Sequence, residues 1–135
     1  GPAPMSRQPD ALMAARAWAL AFCSSLEGAY EDYPFHDPNW AVMRHRANQK
    51  TFALIFERQG HIWINVKAEP QWVDFWRSTY AAVLPAYHMN KQHWVSIVLD
   101  GSIPRKALCR LIEESHALTA PHSAKRNPRT SRPAP

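Results

Sequence analysis

Cysteine is scarce in this chain, and long apolar runs are absent. Among 135 residues only Cys23 and Cys109 carry a thiol. Each sits in a helix-like apolar pattern, outside any metal-spaced cluster. That excludes a disulfide framework and leaves both as expected buried free thiols. Free thiols favour a reducing compartment, so a cytoplasmic location is the expectation. No apolar run approaches the ~18 residues of a membrane span, and no secretory pattern is present, so no membrane partner is expected. The glycine-rich phosphate loops, the nucleophile elbow and the paired-histidine zinc helix are absent too. No nucleotide cofactor, metal or hydrolase chemistry is therefore expected, and no cofactor of any kind is assigned.

Acid is missing from one stretch in particular. Residues 121–135 hold Lys125, Arg126, Arg129 and Arg132 and no Asp or Glu. Residues 1–120 hold 12 basic and 11 acidic residues, so the chain's net charge of +5 lies almost wholly in that tail. A basic tail can grip phosphates without sequence preference. The body shows no basic excess of its own.

What is present suits one small domain. Six tryptophans in so short a chain are enough to fill a core or to form a binding face. Gly1–Pro4 ahead of Met5 reads as a cloning scar, which with a flexible start takes up residues 1–7. The domain is expected over 8–120 and a disordered, basic, Pro-rich tail over 121–135. Residues 8–27 carry an apolar stripe at Leu12, Ala15, Ala19, Phe22 and Leu26, with Asp10 as N-cap and Gly28 as stop, which predicts a helix. A turn-rich connection over 29–38 leads to three strands at Trp40–Arg46, Thr51–Glu57 and His61–Lys67. In the last of these Ile62, Ile64 and Val66 share one face and Trp63, Asn65 and Lys67 the other. A helix over Glu69–Tyr80 with an apolar stripe of Trp72, Phe75, Trp76 and Tyr80, a polar-aromatic loop over 86–93, a strand at Trp94–Leu99 and a helix over Pro104–Leu118 complete the order α-βββ-α-β-α. The fold class is α+β, an antiparallel sheet with helices packed on one side.

Chemistry concentrates in Tyr87-His88-Met89-Asn90-Lys91-Gln92-His93-Trp94. His88 with His93 supplies two imidazoles, but no Cys or carboxylate stands at ligand spacing to complete a metal site. His88 with Lys91 has the proton chemistry of general acid–base work, without a paired carboxylate or nucleophile, so no catalytic residue is assigned and an enzyme is not the favoured reading. Lys91 can contact phosphate, Asn90 a base edge, and His88 and Trp94 can stack. The plainer alternative gives His88 and Asn90 to the loop backbone and Tyr87 and Trp94 to packing. Arg44 and Arg46 share a strand face and, with Lys50, form the densest positive spot of the body. They read as a hairpin "wing" on a phosphate backbone, or as a charged sheet edge that resists aggregation. Trp63, Asn65 and Lys67 either line a groove beside the 87–94 loop or, in the preferred reading, Trp63 packs under a helix. Trp72 and Trp76, four apart, read as core.

The run Tyr33-Pro34-Phe35, Phe52-Ala53, Ile64-Asn65-Val66-Lys67, Pro85 to Lys91, His93-Trp94, Leu99-Asp100-Gly101, Ile103-Pro104 and Leu111-Ile112 resembles the YjbR/MmcQ-like family over about residues 8–120. The resemblance implies an α+β fold similar to type III secretion chaperones, in a double-wing arrangement, and DNA as partner. It marks Tyr33, Pro34, Phe35, Asn65, Lys67, Tyr87, His88, Met89, Asn90, Lys91, His93 and Trp94 as signature positions. Two departures stand out. Ala86 occupies a place where glycine is common, and Ala68 replaces the cysteine of a common Lys-Cys-acid-Pro run, so a role resting on that thiol is absent. The leading expectation is a non-enzymatic DNA-binding protein, monomer or homodimer, using Arg44, Arg46, Lys50, Lys67 and Lys91 on phosphate and His88, Asn90 and Trp94 on the contact surface. The alternatives are a protein that holds a small aromatic or anionic ligand among Trp63, Tyr87, His88 and Trp94, and a chaperone-like adaptor for a protein partner.

Overall fold

The computed structural model describes residues 3–122, with side chains from residue 10 onward. Helix α1 (Ala3–Ser24) leads into strands β1 (Ala29–Asp32), β2 (Ala41–His45), β3 (Thr51–Arg58) and β4 (His61–Lys67). Helix α2 (Pro70–Thr79), strands β5 (Val83–Pro85) and β6 (Trp94–Val98) and helix α3 (Arg105–Thr119) follow. The strands form one six-stranded antiparallel sheet in the order β1-β2-β3-β4-β6-β5.

The fold class stands as expected, but β1 and β5 were not anticipated. Residues 29–32 belong to the sheet, while the turns of the expected 29–38 connection begin at Tyr33. Both added strands lie at the sheet's edges. An edge strand pairs on one side only, so it needs few residues and can carry a proline where the N–H is not called on. Pro85 sits in β5 for that reason. Helix α1 starts at Ala3 and runs through Asp10, which is interior rather than its cap.

The β3–β4 hairpin turns at Gln59-Gly60, with φ of 53° and 82°. Positive φ at both turn positions matches the twist of the flanking strands and fixes Arg58 opposite His61. The register brings Ile55 against Ile64 and Phe56 against Trp63. Every residue from Phe52 to Phe56 and from Ile62 to Val66 is buried. Because side chains alternate, an unbroken buried run means that both faces of the sheet centre are covered.

On one face Met43, Ile55, Ile64, Val66, Val95 and Ile97 meet the three helices. Helix α3 presents Leu108, Leu111, Ile112 and Ser115, the inward set its periodicity predicts. Ser115 accepts a hydrogen bond from the Lys67 amide at 2.8 Å and donates to the Phe52 carbonyl at 2.6 Å. Its hydroxyl thus bridges β3 and β4 where their ladder ends. Helix α2 buries Val73 and Trp76. Trp72, expected in the core, is 46% exposed, as is Phe75 at 47%. A helix of ten residues at the sheet margin has one inward stripe, and Val73 takes the place beside Trp76.

The thiols differ. Burial, and secondarily the neighbouring Cys109, pushes the Cys23 thiol up to about 12. Cys109 is half-exposed rather than buried, and burial and Glu113 raise it while Arg105 opposes them. Since the thiolate is the reactive form, Ellman's reagent at pH 8 should modify Cys109 in the native protein and reach Cys23 only on unfolding in urea. Two thiols reacting at equal native rates would contradict this packing.

Candidate functional site: an aromatic platform over the second sheet face

The face away from the helices carries Leu54, Phe56, Trp63, Asn65 and Ser96, all buried. Two loops cover it, residues 33–40 and 86–93. Trp40 stacks on Phe56 with centroids 4.1 Å apart. Tyr87 lies 5.8 Å from Phe56 and 6.2 Å from Trp63, and the His88 ring rests on Tyr87 at 3.9 Å. Trp40 joins the loops, since it meets Phe35 edge-on at 6.5 Å and His88 at 6.3 Å. The Arg58 guanidinium closes the cluster, 4.1 Å from the Tyr87 ring and 4.8 Å from Trp63. Trp63 is therefore buried, but beneath loops and Arg58 rather than beneath a helix. Its indole N–H donates to the Arg58 carbonyl at 2.9 Å.

Polar side chains hold each loop. The Asn65 amide donates to the Tyr87 carbonyl at 2.9 Å, the Tyr87 amide donates to Ser96 Oγ at 2.8 Å, and Ser96 donates back to Asn65 Oδ1. This closed ring joins β4, β6 and the loop. Asn90 Oδ1 accepts from the Gln92 and His93 amides, and Lys91 Nζ donates to the Ala86 carbonyl at 2.9 Å. The His93 carbonyl accepts from the Ala68 amide. On the other loop Asn39 exchanges two hydrogen bonds with the Glu57 backbone, as a strand neighbour would. Arg16 donates to the Pro38 and Asn39 carbonyls from α1.

The expected site residues thus divide. Trp63 and Asn65 are interior, and Tyr87 and Trp94 are half-buried. Asn90 bonds the loop backbone, the plainer of its two readings. His88, Asn90, Lys91 and His93 are exposed, and Phe35, which meets the same Trp40 as His88, is 58% exposed. Lys67 is half-buried and sits opposite Trp94 in the ladder. The β2–β3 wing is not gathered into this group. Arg44 pairs with Asp32 at 2.8 Å and also donates to Gln49 and Thr51, and the Arg46 guanidinium lies 5.7 Å from the Tyr30 ring. Lys50 is exposed there and makes no ion pair among the described residues.

Sequence reasoning missed Trp40, Phe56, Arg58, Asn39 and Ser96. A usable signal existed for Ser96, which is one polar residue inside an apolar strand, as Asn65 is in its neighbour. Two such residues on adjacent strands point to a partnership in a buried layer. His36 was also missed. It and His88 have φ of 57° and 62°, the left-handed region. The other non-glycine cases, Gln49 and Gln59, belong to hairpin connections. Among the described residues no three His, Cys, Asp or Glu side chains gather as a metal-holding group, and no helix is long and apolar enough to cross a membrane.

Removing one partner of the Asn65–Ser96–Tyr87 ring leaves buried polar groups unmet, which costs about 1–3 kcal/mol. Asn65→Ala and Ser96→Ala should each lower stability by about that amount, and the double variant by less than the sum, since the two share one network. Urea unfolding of the four proteins measures the coupling. Strict additivity would mean that the ring does not act as a unit.

Comparison with known proteins agrees with this architecture. The family model for YjbR matches residues 24–118. The uncharacterized protein YyaQ of Bacillus subtilis is 39% identical, over 68% of this chain and 86% of that protein. The uncharacterized protein YjbR of Escherichia coli K12 is 27% identical, over 72% of this chain and 80% of its own length. Among solved structures, a Pseudomonas syringae protein superposes with a TM-score of 0.71 at 30% identity, covering 78% of this chain and 98% of that one. A Deinococcus radiodurans protein of the DUF419 domain type gives 0.69 at 26% identity, covering 85% of each chain. With the family model spanning most of the fold and the ring, the loops and the sheet order all inside it, this chain belongs to the YjbR family.

Proposed function

We propose that the protein is a non-enzymatic binding protein that contacts nucleic acid, and that the contact surface is the platform of loops 33–40 and 86–93 rather than the β2–β3 wing. One observation carries this reading. His36 and His88, the two left-handed non-glycine residues outside hairpin connections among the described residues, lie on two loops that Trp40 pins together, with Phe35 and His88 facing solvent. Left-handed backbone at a non-glycine residue costs about 1–2 kcal/mol, and such strain tends to gather at working surfaces.

The chemistry of the surface narrows the partner. Exposed ring faces at Phe35, Tyr33 and His88 suit unpaired bases, whose faces are free, better than a stacked duplex. Lys91 and His93 of the same loop, and Lys67 opposite Trp94, would serve as phosphate contacts. Arg16, Arg44 and Arg58 are engaged in internal contacts, so arginine adds little free charge to this surface. A ligand held among Trp63, Tyr87, His88 and Trp94 has less support, because Trp63 is buried and its neighbours already occupy its ring.

The test is binding of single-stranded and duplex DNA across a salt series, with the full chain and with a chain ending at His122. Two or three phosphate contacts give a slope of log K on log salt of about −1.4 to −2 for single strands. Single strands should bind more tightly than duplex, and Phe35→Ala with His88→Ala should weaken binding by about tenfold or more, the loss of a stacked base or two. A shortened chain with no affinity for single strands at low salt, or one indifferent to the ring substitutions, would end this reading.

A further inference from the structure

On the helix side of the sheet, far from the platform in the layer order, α2 and α3 enclose a cleft of about 680 Å³. That lies within the ~300–1,000 Å³ typical of small-ligand sites. Its wall is aromatic. Phe75 meets Trp76 edge-on at 5.2 Å, and Trp76 stacks with Tyr80 at 6.2 Å. Its α3 rim carries Lys106 and Arg110, one helical turn apart, and Glu113. Neither cation has a carboxylate within ion-pair distance among the described residues, and the Arg110 guanidinium lies 6.0 Å from the Trp76 ring.

Trp76 supplies the second, independent sign. It lines the cleft, it is 7% exposed, and its indole N–H is a buried donor without an acceptor among the described residues. A buried donor left unmet is uncommon and disfavours the state that contains it. Cys109 also lines the cleft, its thiol raised by burial and Glu113 against the opposing pull of Arg105.

We propose that the α2–α3 cleft binds a small amphipathic anion, a carboxylate or sulfonate on a flat aromatic or short acyl body. The apolar body packs on Phe75, Trp76 and Tyr80. The anionic head sits between Lys106 and Arg110, and an acceptor oxygen of the ligand meets the Trp76 indole N–H. Unpaired cations beside a mostly apolar wall complement such a molecule and disfavour a neutral or cationic one. A peptide helix is the less fitting occupant, since α2 spans only ten residues and the wall is compact rather than extended.

The probes are 1-anilinonaphthalene-8-sulfonate, followed by fluorescence, and indole-3-acetate against indole-3-acetamide, followed by the Trp76 side-chain N–H resonance in the full chain. The sulfonate should bind saturably at one site, and the acetate should displace it and move that resonance. The amide should bind about tenfold or more weakly, and Lys106→Glu with Arg110→Glu should lose affinity by a similar factor or more. Both substituted positions are at the exposed rim, so the variant keeps its fold, which circular dichroism checks. Equal binding of acetate and amide, equal binding by the double variant, no binding of either anion at millimolar concentration, or binding only of a Glu-faced amphipathic peptide would each overturn the assignment. Because none of these residues touches the platform, loss of nucleic-acid binding and loss of anion binding are separate results.

Discussion

A three-membered ring of hydrogen bonds through Asn65, Ser96 and the Tyr87 backbone decides how the second face of this sheet is built. Asn65 and Ser96 are both fully buried in the middle of paired strands, where an unmet polar group is costly. Each satisfies the other, and together they meet the N–H and C=O of Tyr87. The pairing works only with Asn65 opposite Ser96, so it also fixes the β4–β6 register. A one-residue slip of β6 against β4 would turn Ser96 to the helix face, away from Asn65. The loop that follows is seated by the same atoms that set the sheet.

Once Tyr87 is held, its ring has one place to go, over Phe56 and Trp63 and under Arg58. Several arginines of the body are likewise spent on internal contacts. Arg16 binds loop carbonyls, Arg44 pairs with Asp32, Arg58 lies on two rings, and Arg105 lies 4.1 Å from Trp18. A planar guanidinium can stack and donate at once, which suits it to closing an aromatic layer. These four arginines are therefore less available to a partner than the charge count of residues 1–120 suggests.

Much of this was legible in the sequence, and the exceptions share a cause. The central strands and the inward face of α3 show in periodicity because burial selects for it. The edge strands β1 and β5 do not, since four and three residues paired on one side leave no pattern. Nor does periodicity show what covers a face. Trp63 was readable as turned away from Ile62 and Ile64, but its cover comes from loops distant in sequence, and only the family resemblance tied Tyr33-Pro34-Phe35 to Tyr87–Trp94. Trp72 misled for the converse reason. Its spacing from Trp76 matches a buried pair, whereas the short α2 turns Val73 inward instead. The ring was half visible, as an isolated polar residue in each of two apolar strands. The tail from residue 123 lies outside the described residues, so its expected disorder and its four basic side chains stand apart from this comparison.

The strain at His88 follows from the ring beneath it. With both backbone groups of Tyr87 fixed, the chain must turn sharply at the next residue, and φ there is 62°. Glycine would meet that demand at no steric cost. Histidine tolerates it better than most side chains, but not freely. What the imidazole adds is a ring stacked 3.9 Å from Tyr87 and in reach of Trp40, with its outer side in solvent. Packing alone does not require an exposed polar ring, since an apolar one would cover Tyr87 as well. The side chain is thus better explained by what it offers outward than by what it covers. Held by an interior network, it is offered in one conformation. A surface held this way lacks the ordering cost that a flexible loop would carry.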